Sequence, residues 1–257
     1  MKNIFKLNKL CVFVLALCCI IACGFTAHAE AVLPIPKIGI NVDTAQTPQD
    51  TAVSIQVLLM LTVLSLAPSI LIMMTSFTRI IIILSFLRSA LGTQQMPPTQ
   101  VLIGFALFLT FFVMSPVTNR INNEAFQPYV KGEITQEQAF EGASSSIKEF
   151  MFKHIYAKDL DLFITLSGAE TPVVKEELPL TTVVPAFLIS ELKTAFKVGF
   201  LLFIPFLVID MIVASTLMSM GMMMLPPVMI SLPFKILLFI MVDGWNLITQ
   251  SIVMGFK

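Results

Sequence analysis

No cysteine follows position 23. All four thiols (Cys11, Cys18, Cys19, Cys23) fall within the first 29 residues, which read as a secretory signal. A chain that loses this segment has no disulfide, zinc–cysteine site, iron–sulfur cluster or cysteine nucleophile. Histidine is nearly absent as well: past residue 29 only His154 remains, so a His-based metal cluster is excluded. Charged residues make up 12% of the chain and sum to a formal net charge of zero. No basic stripe points to nucleic acid, and no acidic tail points to a solvated arm.

Signatures of catalysis are missing too. Gly39, Gly92, Gly104 and Gly221 stand apart, without the Lys-Ser/Thr that completes a phosphate-binding loop. Neither G-x-S-x-G nor H-E-x-x-H occurs. Asp210 and Asp243 lack the settings of an intramembrane aspartyl protease. Ser144-Ser145-Ser146 reads as a turn or helix cap. The expectation is a protein that is not an enzyme and uses neither cofactor nor metal.

Hydrophobic residues, at 56%, make this an all-α integral membrane protein with long apolar helical hairpins and a small helical extracytoplasmic insert. Residues 1–29 form the signal: Lys2, Lys6 and Lys9 precede an apolar stretch at 10–25, and Ala27-His28-Ala29 marks cleavage after Ala29. Ile20-Ile21-Ala22-Cys23 resembles a lipoprotein processing site, an alternative that would lipidate Cys23. Residues 30–50 read as a flexible leader, 51–119 as a first membrane hairpin, 120–182 as a soluble helical insert and 183–257 as a second hairpin. Residues 51–91 are almost unbroken apolar sequence. As a helix they would span about 60 Å, against about 30 Å for a bilayer core. The run therefore bends, with Pro68 as the candidate break, or carries its second half outside the hydrocarbon. A cleaved signal leaves the N-terminus outside, and the basic pair Arg79 and Arg88 favours the inside. The insert then lies outside, the last turn inside and Lys257 outside.

Three features carry functional weight. Residues 188–200 are amphipathic: Leu188, Ile189, Leu192, Ala195, Phe196 and Phe200 fall on one side, and Ser190, Glu191, Lys193, Thr194 and Lys197 on the other. This reads as a helix entering the membrane with snorkelling lysines, or as a subunit contact or pore rim. Asp210 sits inside an apolar segment at 198–217, where a carboxylate is expensive and is paired or functional. Reflected across the next turn it falls near Lys235, which predicts an Asp210–Lys235 pair, with a proton relay as the alternative. Asp243, on the last apolar segment at 233–256, has no evident partner. The turn itself is Gly221-Met222-Met223-Met224-Leu225-Pro226-Pro227. Gly and Pro can turn a hairpin, and the apolar, flexible thioethers either pack it as filler or form something deformable.

Longer motifs carry a resemblance. Phe77-Thr78-Arg79-Ile80, Leu84-Ser85-Phe86-Leu87-Arg88, Ala90-Leu91-Gly92-Thr93-Gln94-Gln95 and Pro97-Pro98 come first. Pro185-Ala186-Phe187, Ser190-Glu191-Leu192-Lys193-Thr194-Ala195-Phe196 and Pro205-Phe206-Leu207-Val208-Ile209-Asp210 follow. The methionine turn, Leu232-Pro233-Phe234-Lys235 and Val242-Asp243-Gly244-Trp245 complete the set. Together they resemble the FliP family, the flagellar branch of the type III secretion export gates.

The resemblance implies a homo-oligomer, usually a pentamer, assembled with FliQ-like and FliR-like membrane proteins in the basal body at the cytoplasmic membrane. It implies association with FlhA-like and FlhB-like export components and passage of unfolded flagellar substrates. Met222, Met223 and Met224 would form a gasket that seals the pore by closing around itself or a sliding chain. Glu191, Asp210, Lys235, Arg79 and Arg88 would serve as assembly or buried charges. Family members often carry Arg where this chain has Tyr156, so a charge network there would use Lys153 or Lys158, or be absent. A virulence-type export gate is the nearest rival, and a small-solute channel or transporter the second class, though no internal repeat of the transporter kind is found.

Overall fold

The computed structural model describes residues 48–93, 96–168, 177–222 and 224–256. The signal, the cleavage site after Ala29, Met223 and Lys257 lie outside the described residues. The chain divides into two units, Met1–Gln56 and Val57–Lys257. Of the first, the description covers only the opening turns of one helix.

Among the described residues there is no strand. Helices α1 (Pro48–Met73) and α2 (Phe77–Leu91) divide the first apolar run. The break lies at residues 74–76 and not at Pro68, which sits inside α1. Thr75 interrupts the ladder: its Oγ1 donates to the Ile72 carbonyl (2.9 Å) and accepts from Phe77 N–H (3.4 Å). A hydroxyl that engages both flanking turns competes with the helical backbone. The apolar side chains of α1 from Leu58 to Leu66 face outward. Along α2, Ile80, Ile83, Leu84, Leu87 and Leu91 recur at helical spacing and are buried.

Helix α3 (Thr99–Ile121) runs on through a π-helical turn (Asn122–Phe126) and one more α turn (Gln127–Val130). Helix α4 (Gln136–His154) opens with a capping box, in which Gln138 N–H donates to Thr135 Oγ1 (3.3 Å) and Thr135 N–H to Gln138 Oε1 (2.9 Å). The serine triplet at 144–146 is no turn or cap. It lies inside α4, where the Ser146 hydroxyl donates back to the Gly142 carbonyl (3.0 Å). Helix α5 (Ala157–Ser167) ends at Gly168, whose φ of 65° closes the helix in the left-handed region.

Helix α6 (Leu180–Ser219) has 40 residues and so runs about 60 Å, twice a bilayer core. Its first half packs against α2, α4 and α5, and its second half pairs with α7 (Pro227–Met241). Gly221 (φ 76°) ends it: Gly221 N–H donates to the Met218 carbonyl (3.1 Å) and Met222 N–H to the Leu217 carbonyl (3.0 Å). These two bonds are the Schellman pattern that a left-handed residue permits. The last apolar segment is not one helix. It bends by 65° between α7 and α8 (Gly244–Met254). Asp243 (φ 49°) makes the bend, a conformation Asp tolerates better than most residues. Among the described residues, two helices are long and apolar enough to cross a membrane, or three if the bent pair counts as one span.

Among the described residues the core falls into two clusters. One joins α2 to α3, α6, α7 and α8, and the other joins α4 and α5 to the first half of α6; Phe256 packs against both. Close approach fixes the bent pair, since a Cβ on Gly244 would sit 2.2 Å from the Phe239 ring. Gly244→Ala should therefore destabilise the protein by about 1–3 kcal/mol. Adding Phe239→Leu should recover part of that loss in thermal unfolding of the detergent-extracted protein.

Candidate functional site

In the turn at 190–194 of α6, Ser190 and Glu191 point inward but Lys193 stays exposed, and Ala195 just after it is buried. The polar and apolar sides of residues 188–200 therefore do not divide outside from inside. Ser190 and Glu191 are fully buried, whereas Phe196 (56%) and Phe200 (66%) are exposed. The cause is that the partners of these polar groups sit on other helices. Glu191 receives both arms of Arg79 from α2: Nε donates to Oε2 (2.7 Å) and Nη2 to Oε1. Arg79 also donates Nη1 to the Gly255 carbonyl (2.9 Å) and lies over the Phe256 ring, 4.0 Å from its centroid. One buried guanidinium thus ties α2, α6 and the C-terminal turn together through a bidentate pair.

A second pair joins α5 to the same turn. Asp159, buried, accepts from Ser190 Oγ (2.8 Å) and from Lys193 Nζ. Tyr156 N–H donates to Ser190 Oγ (3.1 Å), and the Tyr156 hydroxyl lies 3.0 Å from Thr194 Oγ1. Burial pushes the Asp159 carboxyl up, but its bonds from Lys193 and Ser190 outweigh this and hold it below the usual carboxylate range. The network beside Tyr156 is therefore present, but its cation is Lys193. Lys153 is engaged instead with Glu149 (2.9 Å), and Lys158 acts on Asp159 only through its field. Sequence reasoning missed Asp159, and no local signal marks it among the many charges of the insert.

The third pair closes the α6–α7 hairpin. Lys235 Nζ lies 2.6 Å from Asp210 Oδ2 and donates to the Ala90 carbonyl of α2 (3.2 Å), while Ser231 Oγ donates to Asp210 Oδ1. The structure thus brings Asp210 and Lys235 together. Arg88 is not buried: half-exposed, it donates to Thr99 Oγ1 (2.9 Å). Asp243 accepts from Asn246 Nδ2 (3.2 Å) within its own bend.

His154, at the end of α4, packs edge-on against Phe150 and Phe256, with ring centroids 4.9 and 5.2 Å away. Burial, followed by the fields of Arg79 and Lys153, lowers its pKa from 6.5 to about 4. The unfolded chain accepts this proton first as pH falls. Its contribution to stability is complete above pH 6.5 and is lost between 6.5 and about 4. His154→Phe should flatten that part of the stability–pH curve, as read by thermal unfolding across the window.

At the far tip of the hairpin stands the methionine turn. Met218, Met220 and Met222 are exposed, and Met224 is 98% exposed. Below it an apolar groove of about 450 Å³ runs between the arms, lined by Ile212, Thr216, Ile230 and Phe234 among others. Among the described residues no group of three His, Cys, Asp or Glu side chains is placed to hold a metal ion.

Fold and site together define an all-helical membrane protein whose interior charges join helix to helix and whose longest hairpin ends in exposed thioethers. Comparison with known proteins narrows this class. The chain belongs to the FliP family, whose model matches residues 60–252. It is similar to proteins named flagellar biosynthetic protein FliP. That of Bacillus subtilis is 58% identical over 217 residues, covering 84% of this chain and 98% of the relative. That of Aquifex aeolicus is 52% identical over 206 residues, covering 79% and 86%. That of Caulobacter vibrioides is 49% identical over 234 residues, covering 90% and 88%.

Proposed function

We propose that this chain is a subunit of the flagellar type III protein-export gate, lying in the cytoplasmic membrane at the basal body. Several copies assemble with FliQ-like and FliR-like proteins around a pore for unfolded flagellar proteins, next to FlhA-like and FlhB-like components. The residue 120–168 part of the insert faces outward. Met222, Met223 and Met224 form the gasket, while Arg79–Glu191 and Asp210–Lys235 hold each subunit in shape for assembly.

The observation that carries this reading is the outward surface of the α6–α7 hairpin. Phe196, Phe200, Leu201, Ile204, Met211 and Ile212 are exposed along one arm and Met224 at the tip. An apolar area of that extent marks contact with lipid or other protein. Its position on a helix about twice the bilayer thickness favours protein for at least half of it. Flexible apolar side chains at a tip suit a seal that accepts any sequence and blocks ions by dewetting.

Two measurements test it. Native mass spectrometry of the tagged protein, extracted with its FliQ-like and FliR-like neighbours, should give a complex with several copies of this chain; a lone monomer contradicts the gate. Changing Met222, Met223 and Met224 to Ala should leave that complex intact and make the membrane leak small ions. A tight membrane with normal export would remove the gasket.

A further inference from the structure

We infer that the methionine turn is a peroxide-sensitive modification site, at which oxidation of thioether to sulfoxide breaches the seal. This rests on the gasket reading and goes beyond it. With no cysteine after residue 23, thioethers are the only sulfur in the rest of the chain. The structure sorts them by access. Met74, Met114 and Met151 are buried in the core. Met60, Met73, Met96, Met211, Met229, Met241 and Met254 are exposed elsewhere, but Met218, Met220, Met222 and Met224 are exposed together within seven residues at the hairpin turn. Nothing within 4 Å would meet a Cβ at Gly221, so the backbone of the tip is open to a small oxidant.

The chemistry balances with a hydroperoxide as oxidant. The sulfur lone pair attacks one peroxide oxygen, an S–O bond forms and the O–O bond breaks. Sulfur gives up two electrons, and the second oxygen leaves as hydroxide and takes a proton to become water (an alcohol where the oxidant is an organic hydroperoxide). The oxygen now on sulfur gives its own proton to solvent. A thiol-dependent sulfoxide reductase reverses the step, forming a disulfide and water. The product is a polar, chiral side chain in place of a flexible apolar one. A constriction closed by dewetting depends on having no hydrogen-bond acceptor at its surface, and each sulfoxide supplies one.

The test uses cells carrying the whole export complex, with hydrogen peroxide as the probe. Peptide mass spectrometry locates the added oxygen, and potassium efflux reports the leak. Each variant is read as its own treated-to-untreated ratio. In the wild type the turn methionines should oxidise before Met114 and Met151, and the ratio should rise with them and fall again after reductase treatment. Changing Met222, Met223 and Met224 to Leu should make the ratio insensitive to peroxide. Changing them to Gln, which mimics the polar product, should leak without peroxide.

Several results would overturn the inference. One is an oxidised turn with an unchanged ratio while the Ala variant leaks, which leaves the gasket standing. A rise in the Leu variant equal to the wild type places the leak elsewhere, and core methionines oxidising first removes the site. If neither the Ala variant nor the oxidised wild type leaks, the gasket reading itself is wrong and the inference goes with it.

Discussion

Glu191→Ala should cost about 3–5 kcal/mol of stability, the range for removing one partner of a buried ion pair. The change strands Arg79, which is 5% exposed and keeps only the Gly255 carbonyl and the Phe256 ring. Glu191→Gln should cost less, about 1.5–3 kcal/mol, because the amide oxygen still accepts one hydrogen bond from the guanidinium. The informative variant is the double one. Arg79→Met with Glu191→Leu removes both charges and fills the space with apolar atoms, and buried pairs replaced in this way are often neutral in stability. Thermal unfolding of the wild type and these three variants in detergent ranks the costs. A Glu191→Ala loss below about 1 kcal/mol would mean that the site behaves like a surface pair and that the two helices are joined by packing alone.

Asp210→Ala should damage the protein more than Lys235→Ala, although each removes two hydrogen bonds. Lys235 has a side chain only 3% exposed, while that of Asp210 is 28% exposed. Without Asp210 the ammonium keeps the Ala90 carbonyl and no counter-charge. Without Lys235 the carboxylate keeps Ser231 and partial access to water. The costs should be about 3 kcal/mol and about 1–2 kcal/mol, near the lower end for a broken buried pair in the first case and between buried and surface behaviour in the second. Reversing the charges, Asp210→Lys with Lys235→Asp, should recover part of the loss. Unfolding temperatures and retention of the oligomer on native gels read both effects. The reverse ranking, or a swap as poor as the worse single change, would show that Asp210 is held for another reason, of which a proton relay is the first to test.

Much of the fold is legible from residue pattern where neighbours in space are neighbours along a helix or across one turn. The helical repeat of Ile80, Ile83, Leu84 and Leu87 identifies the packed face of α2 because those residues meet protein. Asp210 and Lys235 can be brought together by reflection across the turn because a hairpin has a single register. The same reasoning fails for residues 188–200. A helical wheel separates apolar from polar residues, yet where the outside is lipid or another subunit Phe196 and Phe200 turn outward and Glu191 turns in. The partner that turns it, Arg79, is 112 positions away. Asp159 and Lys193 escape notice for the same reason, and Lys193 looks like an ordinary snorkelling residue until its partner on α5 is seen. The breaks at Thr75 and Asp243 depend on a hydroxyl bond and on one left-handed residue, each too local to disturb the surrounding apolar run. Pro68 has the stronger local signal but lies within a helix.

Passage of unfolded protein along the methionine turn, as proposed above, is tested most directly by site-specific photo-crosslinking. A photoreactive amino acid at position 222 or 224, in cells whose flagellar substrate is stalled by a folded fusion, should give a crosslink to the substrate. The same probe at buried Ile83 or Leu87 should give none, and the crosslink should vanish when no substrate is made. Substrate export that proceeds with crosslinks only to lipid from 222 and 224 would contradict the account.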